Sequence, residues 1–332
     1  MWKDFLRNTK NKIQPFSLLA NHALRDSNNK HVVTNVGDVV RSSRQCGTAI
    51  AGLSWCSSEE ADGRIIAHLK DMVKYGAQFV LICTVDSDVV VLAVSFYSTL
   101  KKDGLLNLWI KFGKGKNQSY LPAHTIADSL LDKAIALRGF HSFTGCDTTS
   151  AFYGKGKRSA YAVWKSFEDA TSAFLDISTP SAGLSQATYA TLERFVILLY
   201  DKNSESFSID KARGISFTSK NKTCEQLPPS FGALRHHASR AKYRGGQIWG
   251  QADVIDCNIP SPEGWGWIQE NNKWEPLWSD LPPISEACRE LVKCSCKTGC
   301  RTLQCSCKRS KVPCTLMCAH CNLSCQNSRY YR

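Results

Sequence analysis

The sequence predicts an α/β fold: a mainly parallel sheet flanked by helices, a helical extension, and a small irregular cysteine-rich module at the C-terminal end. Three observations predict it. Helix-patterned and strand-patterned segments alternate between residues 57 and 143, as a layered α/β arrangement requires. A mostly helical stretch follows over residues 160–200. Nine cysteines then crowd into the span from Cys294 to Cys325, where large apolar residues are few.

Taken in order, residues 1–50 form a polar, loosely patterned N-terminal segment. Residues 57–76 predict an amphipathic helix. Ser57-Ser58-Glu59-Glu60 fits a capping box, Ile65, Ile66, Leu69, Met72 and Val73 form the apolar face, and Gly76 is a stop signal. The run FVLICTV suits a buried strand of the parallel type, ending at Asp86-Ser87-Asp88 before VVVLAVSFY. A second helical region over Thr125–Phe143 leads into Gly145-Cys146-Asp147 and then Phe152-Tyr153-Gly154-Lys155-Gly156-Lys157. Residues 51–200 therefore read as one domain. Residues 201–286 read as a connecting region rich in tryptophan (Trp249, Trp265, Trp267, Trp274, Trp278), with Asn271-Asn272 placed for a hairpin turn. The tryptophans are read as packing rather than as a base-stacking platform. His141, His236 and His237 are read as surface or core residues, and Cys224, Cys257 and Cys288 as thiols outside the cluster. Residues 287–328 form the cysteine module.

The bulk numbers bound the function. The 332 residues suffice for about two domains, and 43% hydrophobic content can bury a core. A net charge of +13, from 42 Lys+Arg against 29 Asp+Glu, favours a polyanion as partner, with a basic protein that binds none as the plainer alternative. The most apolar run, Phe79–Phe96, is interrupted by Asp86 and Asp88, so no membrane span is expected. No secretory signal is expected from the charged start MWKDFLRNTKNK.

The cysteines are Cys294, Cys296, Cys300, Cys305, Cys307, Cys314, Cys318, Cys321 and Cys325. Tetrahedral zinc needs four ligands, so nine thiolates leave one over if two zincs are held separately. Three zincs need twelve ligand positions, which nine sulfurs supply if three of them bridge. An odd count disfavours a disulfide knot, and the expected compartment is reducing. Three Zn2+ and nine thiolates sum to minus three. Lys293, Lys297, Arg301, Lys308, Arg309 and Lys311 lie between the ligands, offset that charge and leave a basic exterior. Metal must supply most of the folding energy of so oil-poor a segment.

This run resembles the tesmin-type CXC domain of chromatin proteins, which binds three zincs through nine cysteines and contacts DNA. The resemblance implies duplex DNA as partner and a nuclear location. In that family a Tyr or Arg in the first half of the domain enters the minor groove. The corresponding stretch here is Lys297–Gln304, which has no Tyr and offers Lys297 and Arg301 as DNA contacts.

A second constellation is acidic: Glu59-Glu60-Ala61-Asp62, then Thr84-Val85-Asp86-Ser87-Asp88, then Gly145-Cys146-Asp147. Metal-dependent cleavage of phosphodiesters needs carboxylates gathered around Mg2+ or Mn2+. Singly, each group has an ordinary reading as a helix-start acid, a turn or an N-cap. In order and spacing they resemble PIN-like nucleases of the flap-endonuclease type. That resemblance implies Glu60 (or Glu59), Asp62, Asp86, Asp88 and Asp147 as catalytic metal ligands. It also implies Gly154, Lys155, Gly156, Lys157 and Arg158 as a helix-two-turn-helix grip on the DNA backbone. The family opens with an apolar strand ending in Asp, and no such strand leads into Asp4, Asp26 or Asp38. The Glu-Glu-Ala-Asp, Thr-Gly-Cys-Asp-Thr-Thr-Ser and Gly-Lys-Gly-Lys runs, with a Trp-rich stretch before the cysteines, also resemble a group of transposon-associated animal proteins. Three readings result: a metal-dependent DNA endonuclease, a non-catalytic DNA-binding or chromatin adaptor on a nuclease-like scaffold, and a zinc-stabilised protein-interaction module.

Overall fold

The computed structural model describes residues 5, 8–36, 39–44, 53, 61–219, 224–279, 293–297, 299–316, 318–321 and 324–328. It is mixed α/β with small sheets, and it divides into two compact units, Met1–Pro276 and Leu277–Arg332. The Ser57–Glu60 capping box lies outside the described residues.

In the first unit, α1 (Thr9–Arg25) is followed by an antiparallel hairpin of β1 (Val33–Val36) and β2 (Val39–Ser42). Helix α2 (Ala61–Lys74) buries Ile66, Leu69 and Val73 of the expected apolar face, together with Ala67, while Ile65 is half-buried and Met72 is exposed. Strand β3 (Phe79–Thr84), helix α3 (Ser87–Lys102) and strand β4 (Asn107–Phe112) form a crossover unit in which β3 and β4 run parallel. Strand β5 (Ser119–Pro122) then folds back antiparallel on β4, and α4 (Ala123–Leu130) and α5 (Asp132–Phe143) follow.

The mainly parallel sheet expected from the sequence is not what the described residues form. The sheet has three strands in the order β3-β4-β5, with one parallel and one antiparallel pair. The turn between β4 and β5 is too short for the crossover that a parallel pair needs, so β5 must return antiparallel. Strand β3 is also an edge strand rather than a strand covered on both faces. Val80 and Ile82 are buried, whereas Phe79, Leu81 and Cys83 are exposed. The second apolar run, VVVLAVSFY, went into helix α3, because Asp86 N-caps it and Val89, Leu92, Ala93, Phe96 and Leu100 all find a core.

Two cores result. One packs α2, α3 and α4 on the inner face of the sheet, with Leu108 and Ile110 fully buried at its centre. The other is helical, built from α5, α6 (Lys157–Ser166), α7 (Ala170–Ser178), α8 (Gln186–Tyr200), α9 (Ile209–Ser219) and α10 (Phe231–Lys242) around Phe143, Trp164, Phe174 and Phe195. Helices α5 and α7 cross so closely that a Cβ on Gly139 would overlap the Phe174 carbonyl. After α10 the chain makes a π-helical turn, Tyr243–Ile248, and Trp249 is buried in the sheet core. Residues 201–276, read from the sequence as a connector, thus contribute Leu234, Ala238, Ala241 and Trp249 to the interior. The unit ends in a hairpin of β6 (Trp267–Glu270) and β7 (Lys273–Pro276), turned at Asn271-Asn272 with φ of 50° and 60°.

Candidate functional site

The second unit is organised by sulfur. Among its described residues, Cys294, Cys300, Cys305, Cys307, Cys314, Cys318, Cys321 and Cys325 are buried and Cys296 is half-buried. Val312 is the one non-cysteine in this interior among the described residues. The backbone bends to gather the thiols. Gly299 and Cys300 take left-handed φ of 71° and 58°, which turns the chain back on Cys294. A one-turn helix, α11 (Ser306–Arg309), starts at Cys305, whose sulfur accepts the Lys308 N–H at 3.5 Å. The Cys318 sulfur accepts the Cys294 N–H at 3.4 Å, and the Asn327 side-chain amide reaches the Cys314 sulfur at 3.4 Å.

The sulfurs lie at 3.3 Å (Cys300–Cys321), 3.4 Å (Cys294–Cys321), 3.6 Å (Cys294–Cys300 and Cys307–Cys318) and 3.9 Å (Cys294–Cys314 and Cys305–Cys314). Cystine sulfurs would be about 2.05 Å apart. Four sulfurs at about 2.3 Å from one tetrahedral zinc lie about 3.8 Å from each other, so the donor set fits that metal. Three groups of four have all sulfurs within 4.8 Å: Cys294, Cys300, Cys314 and Cys321; Cys294, Cys307, Cys314 and Cys318; Cys294, Cys296, Cys300 and Cys305. Cys325 interacts with Cys300, Cys314 and Cys321. Beside the cluster lies a groove of about 400 Å3 whose walls include Lys293, Cys296, Arg301 and Gln304.

The acidic constellation has a different character. Asp86 and Asp88 sit at the carboxyl end of β3, as expected for a ligand-facing position in an α/β unit. Asp86 is exposed, and its carboxylate accepts the Asp88 N–H at 2.9 Å as the N-cap of α3. Asp88 turns inward and is 7% exposed. His141 Nε2 donates to its Oδ1 at 2.9 Å, and this bond, with Arg244 and Lys157 nearby, holds the Asp88 carboxyl below its usual value. Asp147 is exposed in the loop closed by the Cys146–Thr149 bridge. Asp62 is half-buried in the first turn of α2, and Glu59 and Glu60 lie outside the described residues. Among the described residues, the groups of three or more potential metal ligands within 4.8 Å are all cysteines, and none contains Asp62, Asp86, Asp88 or Asp147.

The glycine-lysine run also divides. Gly154, Gly156 and Arg158 are exposed at the start of α6, and Lys155 lies 5.1 Å over the Tyr200 ring. Lys157 turns inward. Its ammonium donates to the His141 carbonyl at 2.9 Å, the Thr144 hydroxyl at 3.1 Å and the Gly145 carbonyl. Burial pushes it down to about 8, against the opposing pull of Cys146 and Asp88. It ties the loop rather than offering its charge outward. Lys297, Arg301 and Lys293 are exposed in the second unit. Sequence reasoning missed the engagement of His141 and Arg244 with Asp88. No local signal carries it, because the three residues are brought together from α3, α5 and the π-helical turn.

No protein-family model, no curated protein and no solved structure matches this chain.

Proposed function

We propose that this protein binds duplex DNA through a tail folded by three zinc ions, and that its first unit is an α/β scaffold without nuclease activity. The observation that carries the reading is the arrangement of the nine sulfurs. Two of the three close sets, Cys294, Cys307, Cys314 and Cys318 and Cys294, Cys296, Cys300 and Cys305, stand as they are; in the third, Cys294, Cys300, Cys314 and Cys321, we exchange Cys294 for Cys325, which interacts with the other three, so that the third zinc is held by Cys300, Cys314, Cys321 and Cys325. Cys294, Cys300 and Cys314 each then serve two zincs, and the other six serve one. Every cysteine is used, each zinc has four ligands, and the chemistry is that of closed structural sites. Six basic side chains around a core of net charge minus three leave the exterior positive. Lys293 and Arg301 on the groove beside the cluster, with Lys297 exposed nearby, are suited to phosphate oxygens.

The hydrogen bond from His141 to the buried Asp88, with the charges of Arg244 and Lys157 nearby, supports the non-catalytic form of this reading. A buried carboxylate already hydrogen-bonded and surrounded by positive charge is a poor ligand for Mg2+. The endonuclease reading keeps one supporting observation, the exposed Asp86 at the carboxyl end of β3.

One experiment tests the proposal. Native mass spectrometry of the intact chain is expected to find three zincs. Cys300→Ser, which removes a bridging sulfur, loses more zinc than Cys296→Ser, which removes a terminal one. In the same preparation Lys297→Ala with Arg301→Ala weakens duplex binding and flattens its salt dependence by about two counterions' worth of slope. The duplex stays uncut in Mg2+ or Mn2+. No zinc, or two zincs, would end the cluster assignment, and cleavage abolished by Asp86→Ala would restore the nuclease.

A further inference from the structure

The first unit carries a cleft that the zinc tail does not explain. It encloses about 180 Å3, and its walls include Tyr243, Trp267, Trp274, Arg240, Arg244 and Thr148. The tail cysteines and the acids Asp62, Asp86, Asp88 and Asp147 are absent from its lining. We propose that this cleft holds one unstacked base of a single-stranded nucleic acid between its aromatic walls.

The case begins with the hairpin β6–β7. Its residues belong to neither of the first unit's two cores, so Trp267 and Trp274 are not there to fill the interior. Strand pairing alone leaves a two-stranded hairpin marginal. This one is seated on α10 by Gly266, where a Cβ would meet the His236 carbonyl at 2.5 Å, and by the Arg240 guanidinium, which donates to the Gly266 carbonyl at 2.9 Å. The seat fixes Trp267 half-buried and leaves Trp274 38% exposed at the cleft. The π-helical turn contributes Tyr243 to the same lining, its ring 5.9 Å from that of Trp265 and oriented by its hydroxyl donating to the Pro260 carbonyl at 2.8 Å. Insertions of this kind in a helix accompany functional sites.

Charge selects the occupant. Arg240 and Arg244 are 3% and 4% exposed, and no acidic residue lines the cleft. The Arg240 guanidinium lies 5.9 Å from the Trp267 ring and that of Arg244 lies 4.4 Å from the Trp249 ring. A buried cation behind the Trp267 ring, with Arg244 beside the cleft and shared with Trp249 and Asp88, disfavours a cationic occupant and favours a flat group attached to an anion. A nucleobase meets both demands: two apolar faces for stacking, polar edges within reach of the Thr148 hydroxyl, and phosphates drawn by a chain of net charge +13. The volume admits one base and excludes a duplex.

The test uses the intact chain and intrinsic tryptophan fluorescence. Titration with a twelve-residue oligothymidylate is expected to quench emission, and an abasic oligonucleotide of equal length and charge to bind about tenfold more weakly or worse. Trp274→Ala lowers affinity for the oligothymidylate by a similar factor, and Trp274→Phe restores most of it. Circular dichroism of both variants confirms that the exposed position leaves the fold intact. Equal affinity for the abasic strand, or no change in Trp274→Ala, overturns the proposal. Quenching by a proline-rich peptide in place of the oligonucleotide also overturns it and assigns the cleft to a protein ligand. The duplex affinity tested through Lys297 and Arg301 is a separate reading. Its loss in those variants with single-strand binding unchanged, or the reverse, tells which surface fails.

Discussion

His237, on α10, is buried against the end of α5 and the loop after it, and its two ring nitrogens are both used. Nε2 donates to the Phe143 carbonyl at 2.7 Å, and Nδ1 faces the Ser150 hydroxyl at 3.1 Å. Burial holds the imidazole at about 4, far below its ordinary 6.5, with Arg240 adding to the shift and the Phe143 carbonyl opposing it. Between those values the unfolded chain takes up a proton that the folded chain refuses. Stability from this residue is therefore complete above pH 6.5 and declines as pH falls toward 4, by about 3 kcal/mol in all. Urea unfolding at pH 7.5, 6 and 5 should show the fall, and His237→Gln, which keeps an N–H donor, should flatten it over that window. Asp88 acts in a lower window. Its folded value lies below the ordinary 3.8, so its contribution is lost only under more acid conditions and does not mask the histidine. Nothing in the local pattern distinguishes His237 from His236. One is sealed in the helical core and the other is not, and that depends on how α10 lies across Phe143.

At the level of elements, the π-helical turn Tyr243–Ile248 shows how backbone contact is used to place side chains. A Cβ on Gly246 would come within 2.7 Å of the Thr179 carbonyl and 2.8 Å of the Ile177 carbonyl, and neither oxygen can give way without moving the end of α7. Gly246→Ala is expected to destabilise the first unit by about 1–3 kcal/mol. Gly183→Ala, where a Cβ meets nothing within 4 Å, should stay within about 0.5 kcal/mol, and equilibrium unfolding of the two variants checks the contrast. Elements written in local pattern could be read before the structure was known. The face of α2, the Asn271-Asn272 turn and the ligand spacing of the tail each depend on residues a few positions apart. Elements decided by distant partners could not. VVVLAVSFY has the β-branched content of a strand, and only its N-cap and its nearly all-round burial make it α3. Lys242 reads as an ordinary basic residue, yet its ammonium is fully buried at the C-terminal end of α7. There it donates to the Asp176 and Thr179 carbonyls and to the Ser181 hydroxyl, more than 60 residues away in the chain.

The two compact units are held by different physics, and this separates their responses to one reagent. The first unit buries large side chains such as Trp164, Trp249, Phe174 and Phe195 in two cores with no cysteine cluster in either. The interior of the second consists, among the described residues, of cysteines and Val312, too little apolar surface to offset the entropy of ordering its chain. Stripping zinc from the intact protein with a chelator should therefore unfold the tail alone. Helical circular dichroism, which arises almost entirely in the first unit, should persist with its thermal midpoint unchanged. Thiol titration should meanwhile show the nine tail cysteines becoming reactive, and duplex affinity should fall. Adding zinc back under reducing conditions should restore both. A helical signal that melts together with zinc loss would mean that the metal stabilises the first unit too. Thiols that stay unreactive after chelation would mean that something other than metal holds the sulfurs together.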